Sequence, residues 1–396
     1  MATDAGALRK SSDALLKSAV TAGEVPGVVA AITTLDATIY EAAFGERVLG
    51  QGPAMTTGTV MWIASMTKPV TGVAAMQLVE QGRLILDEPA AKVIPELGRV
   101  KVLEGWDPDG KPRLRDARGV ITLRKLLTHT SGFVYDIWNP EMDRYLNVMG
   151  LPRAGSGKNI ALTTPLAFDP GARWEYGIGI DWAGKMVEAV SGQRLGAYMK
   201  EHIFDPLGMQ STAYRITPSM RERLAKVHQR GEDGSLAVTA FEVNQEPEFD
   251  PGGGGLYSTA GDYVFFMRMI LNRGRGNGNG NQVLRGATVD LMSRNSMGEL
   301  RVTKLPSARP ALSCDAEFFT GTPKTWGLTF MINEAAAHTG RPPGSLAWAG
   351  LGNTYFWIDP KSGIAGVLMA QVLPFADPKA LALFYAFEKG VYDALG

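Results

Sequence analysis

Strand-like patterns are concentrated at the two ends of this 396-residue chain. Residues 28–33 and 38–44 are apolar, β-branched runs separated by a short polar turn, which predicts a hairpin. Four further runs follow in the last part of the chain, at 326–332, 345–349, 354–358 and 364–371. Because helical periodicity dominates between the two groups, we expect the terminal strands to complete one antiparallel sheet, with a helical domain inserted in the middle.

The predicted fold class is therefore α/β plus α, with an antiparallel sheet flanked by helices. A helix is expected at 4–22 and another after Asp377-Pro378, where Asp is a suitable cap and Pro suits the first helical position. We assign residues 1–62 and 215–396 to the sheet domain and 63–214 to the helical domain, with approximate boundaries. An active site is expected in the cleft between them.

Composition excludes several function classes. Forty basic and forty acidic residues give a formal net charge of zero, so the chain offers no electrostatic footprint for nucleic acid or an anionic membrane. Cys314 is the single cysteine, which excludes an intrachain disulfide, and the four histidines lack H-E-x-x-H spacing. We expect no metal and no cofactor. Without a leader pattern in Met1 to Lys10 or a long apolar run, a cytoplasmic location is the default. The sequence leaves the oligomeric state open.

Ser65-Met66-Thr67-Lys68 is the main candidate for catalysis. Residues i and i+3 share a helix face, so the Lys68 amine can reach the Ser65 hydroxyl. Pro69 places both residues in the first helical turn, where the helix dipole favours negative charge. An ordinary helix start is the alternative, because S-x-x-K has only two fixed letters. The chain contains no G-x-S-x-G pattern, and we interpret His129 beside Ser131 as a structural turn.

Several segments of the chain agree with one enzyme superfamily. They are Ser65 to Lys68, LLTHTSG at 126–132, Asp169-Pro170-Gly171 with Trp174 and Tyr176, Pro251 to Ser258, and Trp348-Ala349-Gly350 before the strand from Tyr355. In these segments the sequence resembles class C β-lactamases, the wider penicillin-binding-protein superfamily and the family VIII carboxylesterases built on the same scaffold, which implies a β-lactamase/transpeptidase-like fold. In WIASMTK, DWAGK and HIFDPLGM it is also similar to fungal acyltransferases that load a short acyl chain onto a statin precursor.

The resemblance implies a serine acyl-enzyme mechanism. Ser65 corresponds to the nucleophile, and Lys68 and Tyr176 correspond to the pair that moves its proton, with the division of the base role left open. We expect the Lys68 ammonium to favour the Tyr176 phenolate. The oxyanion hole is expected at the backbone N–H groups of Ser65 and Leu351. Tyr135 is the next candidate should Tyr176 not fill its role.

Two departures from the family pattern concern the substrate. Trp348-Ala349-Gly350 replaces the Lys or His, Thr and Gly of penicillin-recognising relatives, and Tyr176-Gly177-Ile178 replaces Tyr-x-Asn. A cation, a hydroxyl and an amide are thereby lost, which makes the site more apolar. His338-Thr339-Gly340 imitates the lost triad ten residues early and is interpreted as accidental. The residues expected to contact the substrate are Trp348, Ala349, Gly350, Ile178, Tyr135 and Trp138, with Trp62 and Phe375 as further pocket aromatics.

These features predict a serine carboxylesterase acting on small, uncharged carboxylic esters, with a small-molecule ester as its partner. Acyl transfer to an alcohol is an alternative use of the same chemistry. A β-lactamase or a D-amino-acid peptidase or amidase is a second alternative. A non-catalytic, penicillin-binding-like protein is the alternative from another class.

Overall fold

A seven-stranded antiparallel sheet forms the centre of the molecule. The computed structural model describes residues 5–276 and 280–395. The strand order in the sheet is β2-β1-β13-β12-β11-β10-β9. The strands in chain order are β1 (Gly27–Thr34), β2 (Thr38–Gly45), β3 (Met61–Trp62), β4 (Lys101–Trp106), β5 (Pro112–Asp116), β6 (His228–Arg230), β7 (Leu236–Val238), β8 (Tyr257–Ser258), β9 (Lys324–Trp326), β10 (Met331–Asn333), β11 (Leu346–Gly350), β12 (Thr354–Asp359), β13 (Ile364–Met369) and β14 (Val372–Leu373).

The N-terminal hairpin joins the C-terminal strands within this sheet. β1 pairs antiparallel with β13, in a register that runs from Val29 opposite Met369 to Thr34 opposite Ile364. The prediction of one sheet closed by both chain ends is thus confirmed. Every residue of β12 and β13 is buried, because helices cover both faces and both sets of alternating side chains contribute to the core.

Helices pack on opposite faces of the sheet. Tyr355 of β12 stacks on Phe384, with ring centroids 4.7 Å apart, whereas its neighbour Phe356 packs against Tyr263 at 5.2 Å. Successive side chains of a strand point to opposite faces, so the helices carrying these partners lie on different sides. The α-helices are α1 (Ala5–Thr21), α2 (Thr67–Glu80), α3 (Leu123–Leu127), α4 (Pro140–Met149), α5 (Gly179–Ser191), α6 (Leu195–Met199), α7 (Asp205–Leu207), α8 (Pro218–Arg221), α9 (Ala260–Leu271), α10 (Gly286–Met292) and α11 (Pro378–Leu395).

The run 326–332, predicted as one strand, forms two. β9 ends at Trp326 and β10 begins at Met331, and the Gly327 N–H donates to the Phe330 carbonyl across the turn at 2.8 Å. Thr329 takes a positive φ of 84° within this turn, a conformation that its β-branched side chain disfavours. The apolar run therefore predicted burial correctly, but Gly327 alone, followed by Leu328, Thr329 and Phe330, was too weak a signal to predict the turn.

The middle of the chain is mainly helical. The segment 133–160 contains α4, whose N-cap Asn139 accepts a hydrogen bond from the Met142 N–H at 2.8 Å. A small hairpin of β4 and β5 lies outside the large sheet, which takes its strands from 27–45 and 324–369. The division into two domains at 62 and 215 stays a prediction.

Within the described residues, no helix combines the length and apolarity needed to cross a membrane. The same part of the chain contains no group of three or more His, Cys, Asp or Glu side chains arranged to hold a metal ion. The cytoplasmic location and the absence of nucleic-acid partners stay predictions.

Candidate active site

Ser65 lies in a tight turn between the small β3–β8 ladder and helix α2. Residues Ala64–Met66 form a turn of 3₁₀ helix, and α2 follows at Thr67. Ala64 has a φ of +45°, in the left-handed region that a residue with a Cβ rarely adopts. Such backbone strain is often stored at functional sites, and here it directly precedes the serine. Pro69 lies in the first turn of α2, as predicted.

Lys68 points its amine at three oxygen atoms. Its Nζ lies 3.0 Å from Ser65 Oγ, 3.1 Å from the Tyr135 hydroxyl and 2.6 Å from the Gly253 carbonyl oxygen. The side chain is fully buried, and burial lowers the pKa of Lys68 to about 7, against an opposing effect of the Asp181 carboxylate. A neutral amine carries a lone pair, so Lys68 can accept a proton from Ser65 near neutral pH.

Tyr176 is buried beside the same serine. The indole Nε1–H of Trp348 donates to its hydroxyl at 2.8 Å, and the Lys68 Nζ lies 4.6 Å from the centre of its ring. Burial raises the pKa of Tyr176 above its usual value, while hydrogen bonds from Ser65 and Trp348 lower it only in part. The expectation of a Tyr176 phenolate stabilised by a lysine ammonium is therefore wrong. Desolvation disfavours both charged forms, so the site favours a neutral phenol beside an amine that is only partly protonated near pH 7.

Asp181 is a member of the site that sequence reasoning missed. It lies in the first turn of α5, is 3% exposed, and its Oδ1 accepts a hydrogen bond from the Gly253 N–H at 2.9 Å. Burial raises the pKa of Asp181 and the Lys68 charge lowers it. The signal in the sequence was weak, because acidic residues are common in the first turn of any helix. Its position close to the lysine depends on the fold.

The glycine run 251–255 holds these groups together. The Gly252 carbonyl accepts a hydrogen bond from the Thr71 hydroxyl at 2.7 Å, which attaches the run to α2. A Cβ at Gly253 would lie 2.6 Å from the Tyr135 hydroxyl and 2.7 Å from Asp181 Oδ2. Contacts that short do not occur, so only glycine lets this backbone pass between the tyrosine, the carboxylate and the lysine.

The end of β11 approaches the serine from the other side. A Cβ at Gly350 would lie 2.3 Å from the Ile63 carbonyl oxygen, so the strand and the turn before Ser65 are in direct contact. Leu351, the next residue, lines the same cavity as Ser65. The arrangement suits the predicted oxyanion hole, whose donors would be the N–H groups of Ser65 and Leu351.

A cavity of about 210 Å³ opens in front of Ser65. Of the predicted contact residues, Tyr135, Trp138 and Trp62 line it, together with Leu351 of the predicted oxyanion hole. Its wall is mostly apolar, and four charged side chains interrupt it. The complete lining is Trp62, Ala64, Ser65, Tyr135, Asp136, Ile137, Trp138, Arg153, Ala154, Gly155, Asp181, Phe241, Val243, Pro251, Gly253, Gly254, Gly255, Arg309, Leu312 and Leu351.

Five residues predicted to contact the substrate do not line this cavity. Trp348 is 4% exposed and lies behind Tyr176, with its ring centre 4.7 Å from that of Trp326. Ile178 is buried at the start of α5. Ala349 and Gly350 belong to the same buried strand as Trp348, and Phe375 likewise lies outside the cavity wall. The apolar character that we predicted from Trp348 and Ile178 is instead supplied at the cavity by residues that sequence reasoning did not select, such as Phe241 and Leu312.

His129 is a buried residue of the turn at 128–132, as interpreted, and it does contact the site. It adopts a positive φ of 57°, and its Nδ1 accepts a hydrogen bond from the Gly177 N–H at 3.3 Å. Its ring packs on that of Tyr176, with centres 4.5 Å apart. Burial lowers the pKa of His129, so the imidazole is neutral and supports the tyrosine by packing.

Comparisons with known proteins agree with this geometry. The family model described as Beta-lactamase matches residues 12–389. The chain is 32% identical over 394 residues to a monacolin J acid methylbutanoyltransferase of Aspergillus terreus, covering 95% of this chain and 94% of the relative. It is 33% identical over 400 residues to a lovastatin esterase of Penicillium rubens, covering 96% and 97% of the two chains.

Solved structures show the same fold. A LovD6 mutant of simvastatin synthase from Aspergillus terreus superimposes with a TM-score of 0.84 at 31% identity, covering 96% of this chain and 94% of the other. EstCE1, described as a hydrolase with promiscuous acyltransferase activity, superimposes with a TM-score of 0.77 at 21% identity, covering 98% and 99%. The predicted β-lactamase/transpeptidase-like fold is confirmed, and the relatives include both acyltransferases and an esterase. The chain belongs to the beta-lactamase family, within a group of serine acyl-transferring enzymes.

Proposed function

We propose that this protein is a serine carboxylesterase that cleaves small, uncharged carboxylic esters through an acyl-enzyme on Ser65. The observation that carries the proposal is the 3.0 Å contact between Ser65 Oγ and a buried Lys68 amine, at the edge of an apolar cavity. A nucleophile within hydrogen-bond reach of its base is the arrangement that covalent catalysis needs.

In the acylation half of the reaction, Lys68 acts as the general base. Its neutral amine takes the Ser65 proton while Oγ attacks the ester carbonyl carbon, and a C–O bond forms. The N–H groups of Ser65 and Leu351 stabilise the oxyanion in this proposal, a contribution of about 3–4 kcal/mol per donor in related systems. Collapse breaks the bond to the leaving alcohol, which takes a proton returned by Lys68 or through the neutral Tyr176 phenol.

The charges in the cavity wall support an uncharged substrate, because they already have partners. Arg309 Nη1 donates to Asp136 Oδ2 at 3.0 Å, and Arg153 Nη1 lies 3.2 Å from the same oxygen. Asp181 accepts the Gly253 N–H and faces Lys68. A substrate carboxylate entering the cavity would have to compete with Asp136 for the two arginines, at the cost of its own desolvation.

The test combines covalent labelling with turnover. A fluorophosphonate should label wild-type protein at Ser65 and leave Ser65→Ala unlabelled, and p-nitrophenyl butyrate should be turned over faster than nitrocefin. Ser12→Ala is a matched control, since Ser12 is a buried serine of α1, and it should label normally. Folded protein without labelling would support a non-catalytic binding protein. Faster turnover of nitrocefin would support a β-lactamase.

Transfer of the acyl group to an alcohol is the second candidate function. Relatives that cover nearly the whole chain are described as methylbutanoyltransferases as well as an esterase, and the apolar wall would hold an organic alcohol better than water. Adding alcohols of increasing chain length to the butyrate assay separates the two functions. New ester formed at millimolar alcohol would favour transfer, whereas butyric acid as the sole product would favour hydrolysis.

A further inference from the structure

Two tyrosines lie beside the Lys68 amine. Nζ lies 4.6 Å from the ring centre of Tyr176 and 5.0 Å from that of Tyr135, and it hydrogen-bonds the Tyr135 hydroxyl at 3.1 Å. The two phenols differ in their other neighbours. Tyr176 is held by Trp348 and contacts Ser65, whereas Tyr135 lines the cavity in front of the serine.

Contacts with the surrounding fold hold the backbone and the ring of Tyr135 in place, whereas its hydroxyl contacts Lys68. Its N–H donates to the Tyr176 carbonyl at 3.2 Å, and the Trp138 ring packs edge-on against both tyrosines, at 6.0 and 5.4 Å. In the described part of the chain, the hydroxyl has Lys68 as its hydrogen-bond partner. Gly253 leaves the space into which this hydroxyl projects, since a Cβ there would lie 2.6 Å from it.

A purely structural role for Tyr135 would not explain why its hydroxyl contacts Lys68 at the cavity wall. A buried phenol that serves packing alone gains nothing from placing its hydroxyl between a catalytic amine and an open cavity. The incoming acceptor, water or alcohol, must reach the acyl carbonyl from the cavity, and Lys68 does not line the cavity wall itself. Tyr135 is the group that connects the two.

We propose that Tyr135 is the proton relay for the acceptor in the second half of the reaction, an inference that rests on the acyl-enzyme at Ser65. As the acceptor oxygen attacks the acyl carbonyl, its O–H proton passes to the Tyr135 oxygen, and Tyr135 passes its own proton to the neutral Lys68 amine. Collapse of the tetrahedral intermediate breaks the bond to Ser65 Oγ, which takes a proton back from the Lys68 ammonium. Acceptor and acyl-serine thereby become the product acid or ester and free serine, with Tyr135 and Lys68 restored.

Single-turnover kinetics test the assignment, because they separate the two halves. With p-nitrophenyl butyrate, the first phase of p-nitrophenol release reports acylation, and decay of the acyl-enzyme mass reports deacylation by water or butanol. Tyr135→Phe should slow deacylation by about a hundredfold, in the range expected for general acid–base catalysis, and change acylation by no more than about threefold. Tyr40→Phe is the control, since it removes a buried hydroxyl that bonds Asp13 far from the cleft. It should leave both phases unchanged.

The outcomes that overturn the inference are distinct from failure of the proposed function. Equal slowing of both phases would make Tyr135 part of a shared base, and two unchanged phases would make it structural. An absent burst and absent acyl-enzyme in the wild type would instead refute the acyl-enzyme at Ser65. Should Tyr135→Phe not fold, deacylation of the wild type in D₂O serves as the second measurement. Slower deacylation there would support a proton in transit, and equal rates in both solvents would contradict it.

Discussion

Replacing Asp181 by Asn should shift the pH dependence of acylation toward acid. The active form of Lys68 is the neutral amine, whose pKa burial lowers to about 7 from the usual 10.5. The Asp181 carboxylate opposes that effect by favouring the ammonium. Without this negative charge, the pKa of Lys68 falls further, and the neutral fraction at a given pH rises. Asn keeps an oxygen that can accept the hydrogen bond from the Gly253 N–H, so the backbone contact survives.

The size of the effect is bounded by the present pKa of Lys68. An amine with a pKa of about 7 is neutral in roughly one molecule of eleven at pH 6 and in about half at pH 7. Complete deprotonation can therefore raise kcat/KM at most about tenfold at pH 6 and about twofold at pH 7, with almost no gain at pH 8. A lysine with the ordinary value of 10.5 would be neutral in only about one molecule of 3,000 at pH 7.

The assay is kcat/KM for p-nitrophenyl butyrate from pH 5 to 9, because this parameter reports ionisation in the free enzyme. Wild type should show an acid limb centred near pH 7, and Asp181→Asn should show that limb at lower pH. Asp262→Asn is the matched control, a buried aspartate at the start of α9 that bonds Thr212 and the Ser211 N–H. Its limb should stay near pH 7. An unshifted or alkaline-shifted limb in Asp181→Asn would refute the assignment of Lys68 as the base.

Three further substitutions have defined outcomes. Trp348→Phe removes the indole hydrogen bond to Tyr176, so acylation should slow by roughly 2–10-fold in stopped-flow measurements; an unchanged rate would contradict a positioning role. Gly350→Ala places a Cβ 2.3 Å from a main-chain carbonyl before the serine, so kcat should fall by about a hundredfold or more, with normal activity as the contrary result. Glu388→Gln leaves the fully buried Arg341 charge unpaired. It should lower the free energy of unfolding, measured with urea, by about 3–5 kcal/mol. A loss below about 1 kcal/mol would show that the pair is solvated.

Much of the fold could be predicted from local patterns. The hairpin at 28–44 and the helix cap Asp377 could be predicted because apolar patterns and cap chemistry act over a few residues. The turn at 327–330 could not be predicted in this way, since tertiary packing imposes a positive φ on Thr329 against its preference. Helix α4 was overlooked although Asn139, followed by Pro at the first helical position, is a readable start signal.

Among the predicted catalytic residues, some followed from local spacing and others did not. Spacing within one helical turn was enough to bring the Lys68 amine to Ser65, and the structure has the two atoms 3.0 Å apart. Tyr176 was placed beside them by family resemblance alone, because no local rule connects residues more than a hundred positions apart. The phenolate predicted for Tyr176 was wrong, since the prediction assumed an aqueous environment where the fold provides a desolvated interior.

The sequence by itself determined the sheet-forming ends, the helical middle and the serine–lysine turn, because hydrophobic periodicity and helix geometry operate between near neighbours. The tertiary structure alone decided that Asp181 and Gly253 lie next to Lys68, that Trp348 hydrogen-bonds Tyr176 and does not line the cavity, and that Tyr135 lines the cavity. These relations depend on which distant segments pack together and how fully they exclude water. Both are properties of the assembled fold.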